Sequence, residues 1–311
     1  MDGTRDTSPS NTPPKPAFRG VDTASVTGSG STPMSVAKKS VEDPLYRYRL
    51  VSCNIYMRTP GDDVPKHISD LIGHIRRHRN SPSPSRNDIW KICNGEGLHE
   101  LEDGATKSVQ RQMNKDATPY SYSQSKLSTP FPDLLYGYQL DRAFPQQQAL
   151  ALKSATLANN DGLMFPFLLV EVKGDGGSMY GATNQCLGGS ASCVNIAETL
   201  NWCLKQQQLP RVYSAVFSIA MNGTEARVYI SWKASKLDWY MQKIEHFVLH
   251  RATDYEEFQK IVQNIFDWGR GHRLDEIRKA LDALQKKEED TKQEEADEAS
   301  GLKKRKYHHS P

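Results

Sequence analysis

Apolar positions between Tyr46 and Leu284 recur at two periods, and the alternation between them predicts strands interleaved with helices. The longest apolar run, Phe165-Pro166-Phe167-Leu168-Leu169-Val170, passes directly into Glu171-Val172-Lys173. A run of this length and content predicts a strand buried on both faces. Strand side chains alternate, so Glu171 and Lys173 project to the same side. Upstream, Leu50 to Tyr56 reads as a strand or extended segment, and Asp62-Asp63-Val64-Pro65 has the chemistry of a helix start. Val64, Ile68, Leu71, Ile72 and Ile75 then repeat at helical spacing. Asn87 or Asp88 caps a predicted helix through Ile89, Trp90 and Ile92, and a further helix is predicted over about Leu98 to Met113. Phe131 to Tyr138 reads as a short strand, Pro145 to Leu157 as a helix, and Asn159-Asn160-Asp161-Gly162 as a turn.

Beyond the central run, Ala182, Cys186, Gly189, Cys193, Ile196, Ala197, Leu200 and Leu204 recur at spacings of three and four. They predict a helix whose small-residue face packs closely on a sheet. Val212 to Ala220 and Ala226 to Trp232 read as strands, and the intervening Met221-Asn222-Gly223-Thr224 carries the Asn-Gly hairpin signal. Trp239 to Leu249 predicts another strand, and Tyr255 to Trp268 and His272 to Leu284 two helices. The order is that of an α/β protein, with charged residues at the end of a strand, where such folds place function.

Composition divides the 311 residues into three parts. Residues 1–43 are rich in Ser, Thr, Pro and Gly and carry too few large apolar groups to offset the entropy of ordering, which predicts disorder. Residues 44–285 hold the folded domain. Residues 286–311 form a charged tail or solvated helical extension that ends in the basic run Lys303-Lys304-Arg305-Lys306, a signal of the nuclear-import type. There is no apolar run of roughly 18 residues to span a bilayer and no secretory pattern at Met1–Asp6, so the expected setting is nuclear or cytoplasmic, away from membranes. The net charge of +3 is compatible with a nucleic-acid partner without requiring one. The five cysteines show no C-x-x-C pair, which argues against a structural zinc site and for buried thiols in a reducing compartment.

Asp133, after Pro132, joins Glu171 and Lys173 as the constellation that carries chemistry. Phosphodiester hydrolysis needs an activated water, neutralisation of the phosphorane-like charge and a stabilised leaving oxygen, which one or two Mg²⁺ (or Mn²⁺) ions supply. Mg²⁺ takes hard oxygen ligands and keeps several waters. Asp133, Glu171 and the Val172 carbonyl are suitable oxygens, and Lys173 is suited to orienting or deprotonating the water or to stabilising phosphate charge. The plainer alternative is a Glu171–Lys173 salt-bridge pair at a sheet edge, with Asp133 in a turn. His74-Ile75-Arg76-Arg77-His78-Arg79 ends the first predicted helix. Its cations suit the helix dipole, and Arg76, Arg77 and Arg79 are also candidates for contacts to nucleic-acid phosphates.

Pro132-Asp133 and Glu171-Val172-Lys173 resemble the two motif elements of the PD-(D/E)XK nuclease superfamily. The wording around them, Pro132 to Tyr138, Phe167 to Lys173 and Asn184 to Ala191, is similar to that of an uncharacterised fungal family described as carrying such a domain. The resemblance spans roughly residues 45–285. It implies a restriction-endonuclease-like core, a central mixed sheet flanked by helices, and metal-dependent cleavage of DNA or RNA. It further implies catalytic roles for Asp133, Glu171, Lys173 and Gln185, with Glu96 as an additional acidic ligand. In the exonuclease-like branch Gln begins a Q-x-x-x-Y pattern, whereas here the fourth position after Gln185 is Gly189. Dimers are frequent in this fold, so a homodimer is an expectation. The competing expectation is a nuclease fold without catalysis that binds nucleic acid or protein.

Overall fold

A computed structural model describes residues 41–78, 105–119, 127–151, 156–174 and 177–307. Its strands are β1 (Ile55–Arg58), β2 (Ala105–Val109), β3 (Leu134–Gln139), β4 (Leu163–Val172), β5 (Val216–Met221), β6 (Glu225–Lys233) and β7 (Trp239–Val248). They form one mixed sheet in the order β1-β7-β6-β5-β4-β3-β2, with β4 parallel to β5, β1 parallel to β7, and the other neighbours antiparallel. The helices longer than one turn are α1 (Leu45–Ser52), α2 (Lys66–Ile75), α3 (Gln146–Ala151), α4 (Met179–Gln206), α5 (Ala252–Trp268) and α6 (Leu274–Tyr307), and a single helical turn, Leu140–Ala143, follows β3. Among the described residues no helix is long and apolar enough to cross a membrane.

The parallel β4–β5 pair requires a crossover, and α4 supplies it, packing along β4, β5 and β6. Its small residues allow a close approach. A Cβ on Gly189 would lie 2.5 Å from Leu169 Cδ1 of β4, so only glycine fits there without rearrangement. The other face of β4 is covered by α5, and a cavity of about 420 Å³ remains between them, lined by Val170, Val172 and Phe258 among others. Burial on both sides explains the unbroken apolar run, because every residue of β4 except Val172 is buried. The strand is not uniform, however. Tyr136 pairs with Leu168 but Tyr138 with Met164, so β4 bulges around Phe165-Pro166, with Phe165 at φ 43° and Pro166 unable to donate to the ladder.

α2 begins at Pro65 and buries Ile68, Leu71, Ile72 and Ile75, the stripe expected from their spacing. Each such side chain contributes roughly 1.5–3 kcal/mol of burial. Its last carbonyls are satisfied from α5, where the Asn264 side chain donates to the Ile75 (2.7 Å) and Arg77 (3.0 Å) carbonyls. Between α5 and α6 lies a π-helical turn, Gly269–Arg273. Arg273, fully buried, donates from it to the carbonyls of Tyr213, Ala215 and Pro166, pinning the turn to the amino ends of β4 and β5.

Three expectations are corrected. Leu50 to Ser52 belong to α1, and the strand starts only at Ile55, after Asn54 turns the chain at φ 59°. Ala105–Val109 is a strand, not part of a helix, because pairing with β3 supplies hydrogen bonds that outweigh a weak local preference. The helix begun at Pro145 does not reach Leu157, which bridges to Met164 instead. The β5–β6 hairpin forms as expected, with the Asn222 side-chain oxygen accepting from the Thr224 and Glu225 amides. α6 continues into the charged extension as far as Tyr307. The predicted N-terminal disorder and the Asn87–Ile92 helix lie outside the described residues.

Candidate active site

The β3–β4 ladder pairs Leu134 with Val170, and one step further sets Asp133 opposite Glu171. Asp133 Oδ2 accepts a hydrogen bond from the Val172 amide at 2.8 Å, which fastens its carboxylate to the end of β4. The Asp133 carbonyl accepts from Gln110, so the residue is held on both flanks. Lys173 donates its amide to Met221 of β5 at 2.8 Å, which carries the parallel ladder one residue past β4 and keeps the alternation that puts Lys173 on the side of Glu171. The three residues expected to act together are thus gathered at one sheet end.

Glu171 is only 2% exposed. Burial pushes its carboxyl up to about 9; the neighbouring Asp133 charge and a shared hydrogen bond add to the shift, and Lys173 opposes it. At neutral pH the metal-free Glu171 therefore carries a proton. Gln185, in the second turn of α4, stands on the same face of the sheet. Two buried acceptors, Glu171 Oε2 and Gln185 Oε1, have no hydrogen-bond partner. Unpartnered buried oxygens are costly, and hard oxygen atoms of this kind are what a divalent cation takes. Among the described residues no group of three His, Cys, Asp or Glu is arranged to hold a metal. Asp133 and Glu171 are two carboxylates, a number that suits an ion retaining several waters. Glu96 lies outside the described residues.

The surroundings include residues that no motif indicated. Tyr46 of α1 feels the charge of the site: burial raises its phenol, the Ser128 hydroxyl at 3.4 Å and the Arg49 charge oppose this, and the Glu171 charge raises it further. Cys186, fully buried, is held well above the ordinary thiol range by burial and by the nearby Glu171. α1 is fastened to α4 by Arg47, which donates to Asn184 Oδ1 at 2.8 and 3.0 Å, while Asn184 donates to the Val41 carbonyl. The departure at Gly189 has a physical reason, since a tyrosine there would collide with Leu169. Across the sheet Glu171 aligns with Ala220 and then Arg227, whose guanidinium is held by the Glu225 carboxylate at 2.8 and 3.0 Å.

The basic cluster ending α2 is dispersed. Arg76 pairs with Glu245 at 2.7 Å and donates to the Ile244 carbonyl, a tether to β7. Arg77 lines a separate cavity with His67, His74 and His272. Arg79 lies outside the described residues.

A carboxylate pair with an adjacent lysine, at the carboxyl end of an inner strand of a mixed seven-stranded sheet flanked by helices, defines an α/β protein with a candidate active site. The chain belongs to the family described as Domain of unknown function (DUF7924), whose model matches residues 90–281. No curated protein matches it.

Proposed function

We propose that this chain is a metal-dependent nuclease of the PD-(D/E)XK type, with a restriction-endonuclease-like core, acting on phosphodiester bonds of DNA or RNA. The observation that carries the reading is the facing pair Asp133 and Glu171 with Lys173 beside it. A salt bridge at a sheet edge needs neither a second carboxylate nor a buried one. Here Glu171 is held protonated, an arrangement that disfavours two adjacent negative charges until a cation compensates them.

In this reading Asp133 and Glu171 hold a Mg²⁺ or Mn²⁺ ion, with the Gln185 side-chain oxygen available nearby. When bound, such an ion supplies an acidified water and neutralises phosphate charge. Asp133, locked by the Val172 amide, presents its carboxylate without reorganisation. Lys173 orients the water or balances charge on the phosphate. A nuclear or cytoplasmic setting accords with the basic run at Lys303–Lys306.

The test is cleavage of single- and double-stranded DNA and of RNA with Mg²⁺ or Mn²⁺, comparing wild type with Asp133→Ala and Lys173→Ala. The expected result is metal-dependent cleavage lost in both variants. Cleavage that survives both substitutions overturns the site assignment. Salt-sensitive nucleic-acid binding with no cleavage on any substrate replaces the reading with that of a non-catalytic binding module.

A further inference from the structure

A second cluster lies at the opposite end of the sheet. A cavity of about 150 Å³ is lined by His67, Asp70 and His74 of α2, by Arg77 just beyond its end, by Tyr213 in the segment entering β5, and by His272 of the π-helical turn. The Tyr213 ring stands between two imidazoles, with centroids 5.8 Å from His67 and 6.3 Å from His272. Glu171 is seven residues further along than Tyr213 in the parallel register, about 20 Å away at ~3.3 Å per residue. The cluster is therefore no part of the site described above.

Its charges are unevenly committed. Asp70 pairs with Lys66 at 2.9 Å, and Asp267 on α5 pairs with Arg270. Among the described residues no carboxylate is paired with Arg77. Three imidazoles and a guanidinium thus converge on the cavity, and the two carboxylates beside them, Asp70 and Asp267, are engaged by Lys66 and Arg270. The π-helical turn that carries His272 is fixed by the buried Arg273 next to it, so His272 is held in place opposite α2.

We propose that this cavity binds a phosphate-class oxyanion, held by the Arg77 guanidinium and by His67, His74 and His272 in their protonated forms. The inference is independent of the nuclease reading. Oxyanions are recognised by charge-assisted N–H donors. Imidazoles become double donors only when protonated, so the affinity rises as pH falls through the histidine range. The groups facing His74 accord with this. Burial, then Arg77 and His272, lower its imidazole, and Asp267 opposes them. An anion among these cations reverses the balance and favours the protonated ring.

Sulfate is the cleanest probe, because its charge is constant between pH 5 and 8. Histidine ring signals are followed by NMR across that range in sulfate and in chloride of equal ionic strength. The expected result is an upward shift of the His74 and His272 midpoints in sulfate, by about one pH unit. Arg77→Gln, at an exposed helix end, should weaken sulfate binding about tenfold without unfolding the protein. Superimposable titrations in sulfate and chloride overturn the proposal, as does sulfate affinity independent of pH or of Arg77. Competition then separates the sources. Displacement of sulfate by inorganic phosphate and ribose 5-phosphate, but not by an oligonucleotide of internal diesters, assigns a free phosphomonoester; displacement by the oligonucleotide assigns backbone phosphate.

Discussion

Asp133 and Val172 meet across the end of the β3–β4 ladder, where the Asp133 carboxylate takes the Val172 amide hydrogen at 2.8 Å. This contact orients Asp133 toward Glu171 while satisfying an amide at the strand's end. Asp133→Asn keeps an oxygen to accept that hydrogen and removes the charge. The variant should fold as wild type and lose metal-dependent cleavage by about 100-fold. Its Glu171 should titrate lower than in wild type, because a negative neighbour is gone. Cleavage rates and carboxyl NMR titration check the two parts separately.

Glu171 makes stability depend on pH. Its carboxyl rises from an ordinary 4.5 to about 9 in the fold, so the folded state keeps a proton that the unfolded chain releases. This contribution is complete below about pH 4.5 and is lost as pH rises toward 9, with a slope of at most about 1.4 kcal/mol per pH unit. Glu171→Gln removes the titration. The variant should therefore gain on wild type as pH rises from 6 to 8 in metal-free buffer, measured by thermal denaturation. Added Mg²⁺ should raise the wild-type melting temperature more at pH 8 than at pH 6 and leave the Gln variant unchanged.

Lys173 acts on charge, and it sits past the last residue of β4. Lys173→Ala should reduce cleavage at least about 100-fold while leaving the Mg²⁺-dependent rise in melting temperature intact. Loss of that rise in parallel with cleavage would give Lys173 a role in holding the site together instead.

Gly189 and Tyr46 test how the site is enclosed. Gly189→Ala sets a methyl 2.5 Å from Leu169 and should destabilise the protein by about 1–3 kcal/mol in urea denaturation. Tyr46→Phe removes only a hydroxyl near Glu171 and should leave stability within about 1.5 kcal/mol while changing the pH profile of cleavage.

Arg273 is the buried tie between the π-helical turn and the amino ends of β4 and β5. Arg273→Met leaves the carbonyls of Tyr213, Ala215 and Pro166 without that donor, and should cost about 2–4 kcal/mol in equilibrium unfolding.

Much of the fold was legible because burial writes itself into periodicity. The helix stripe Ile68–Leu71–Ile72–Ile75, the small-residue face of α4, the two-sided burial of β4 and the hairpin at Asn222 each follow from local spacing. So did the common side of Glu171 and Lys173, which depends only on alternation along one strand. β2 was not legible, because Ala105-Thr106-Lys107-Ser108-Val109 has little strand character of its own and becomes a strand through its partner. The approach of Tyr46, the alignment of Arg227 and the gathering of His67, His74 and His272 around Tyr213 join positions far apart in the chain. Local spacing was enough to place helices and strands over most of the core and to put two charges on one strand face, since those depend on contacts a few residues away. That Asp133 stands opposite Glu171, and that burial keeps Glu171 protonated, follows from the assembled fold alone, because register across strands and desolvation arise from the sheet and its helices together.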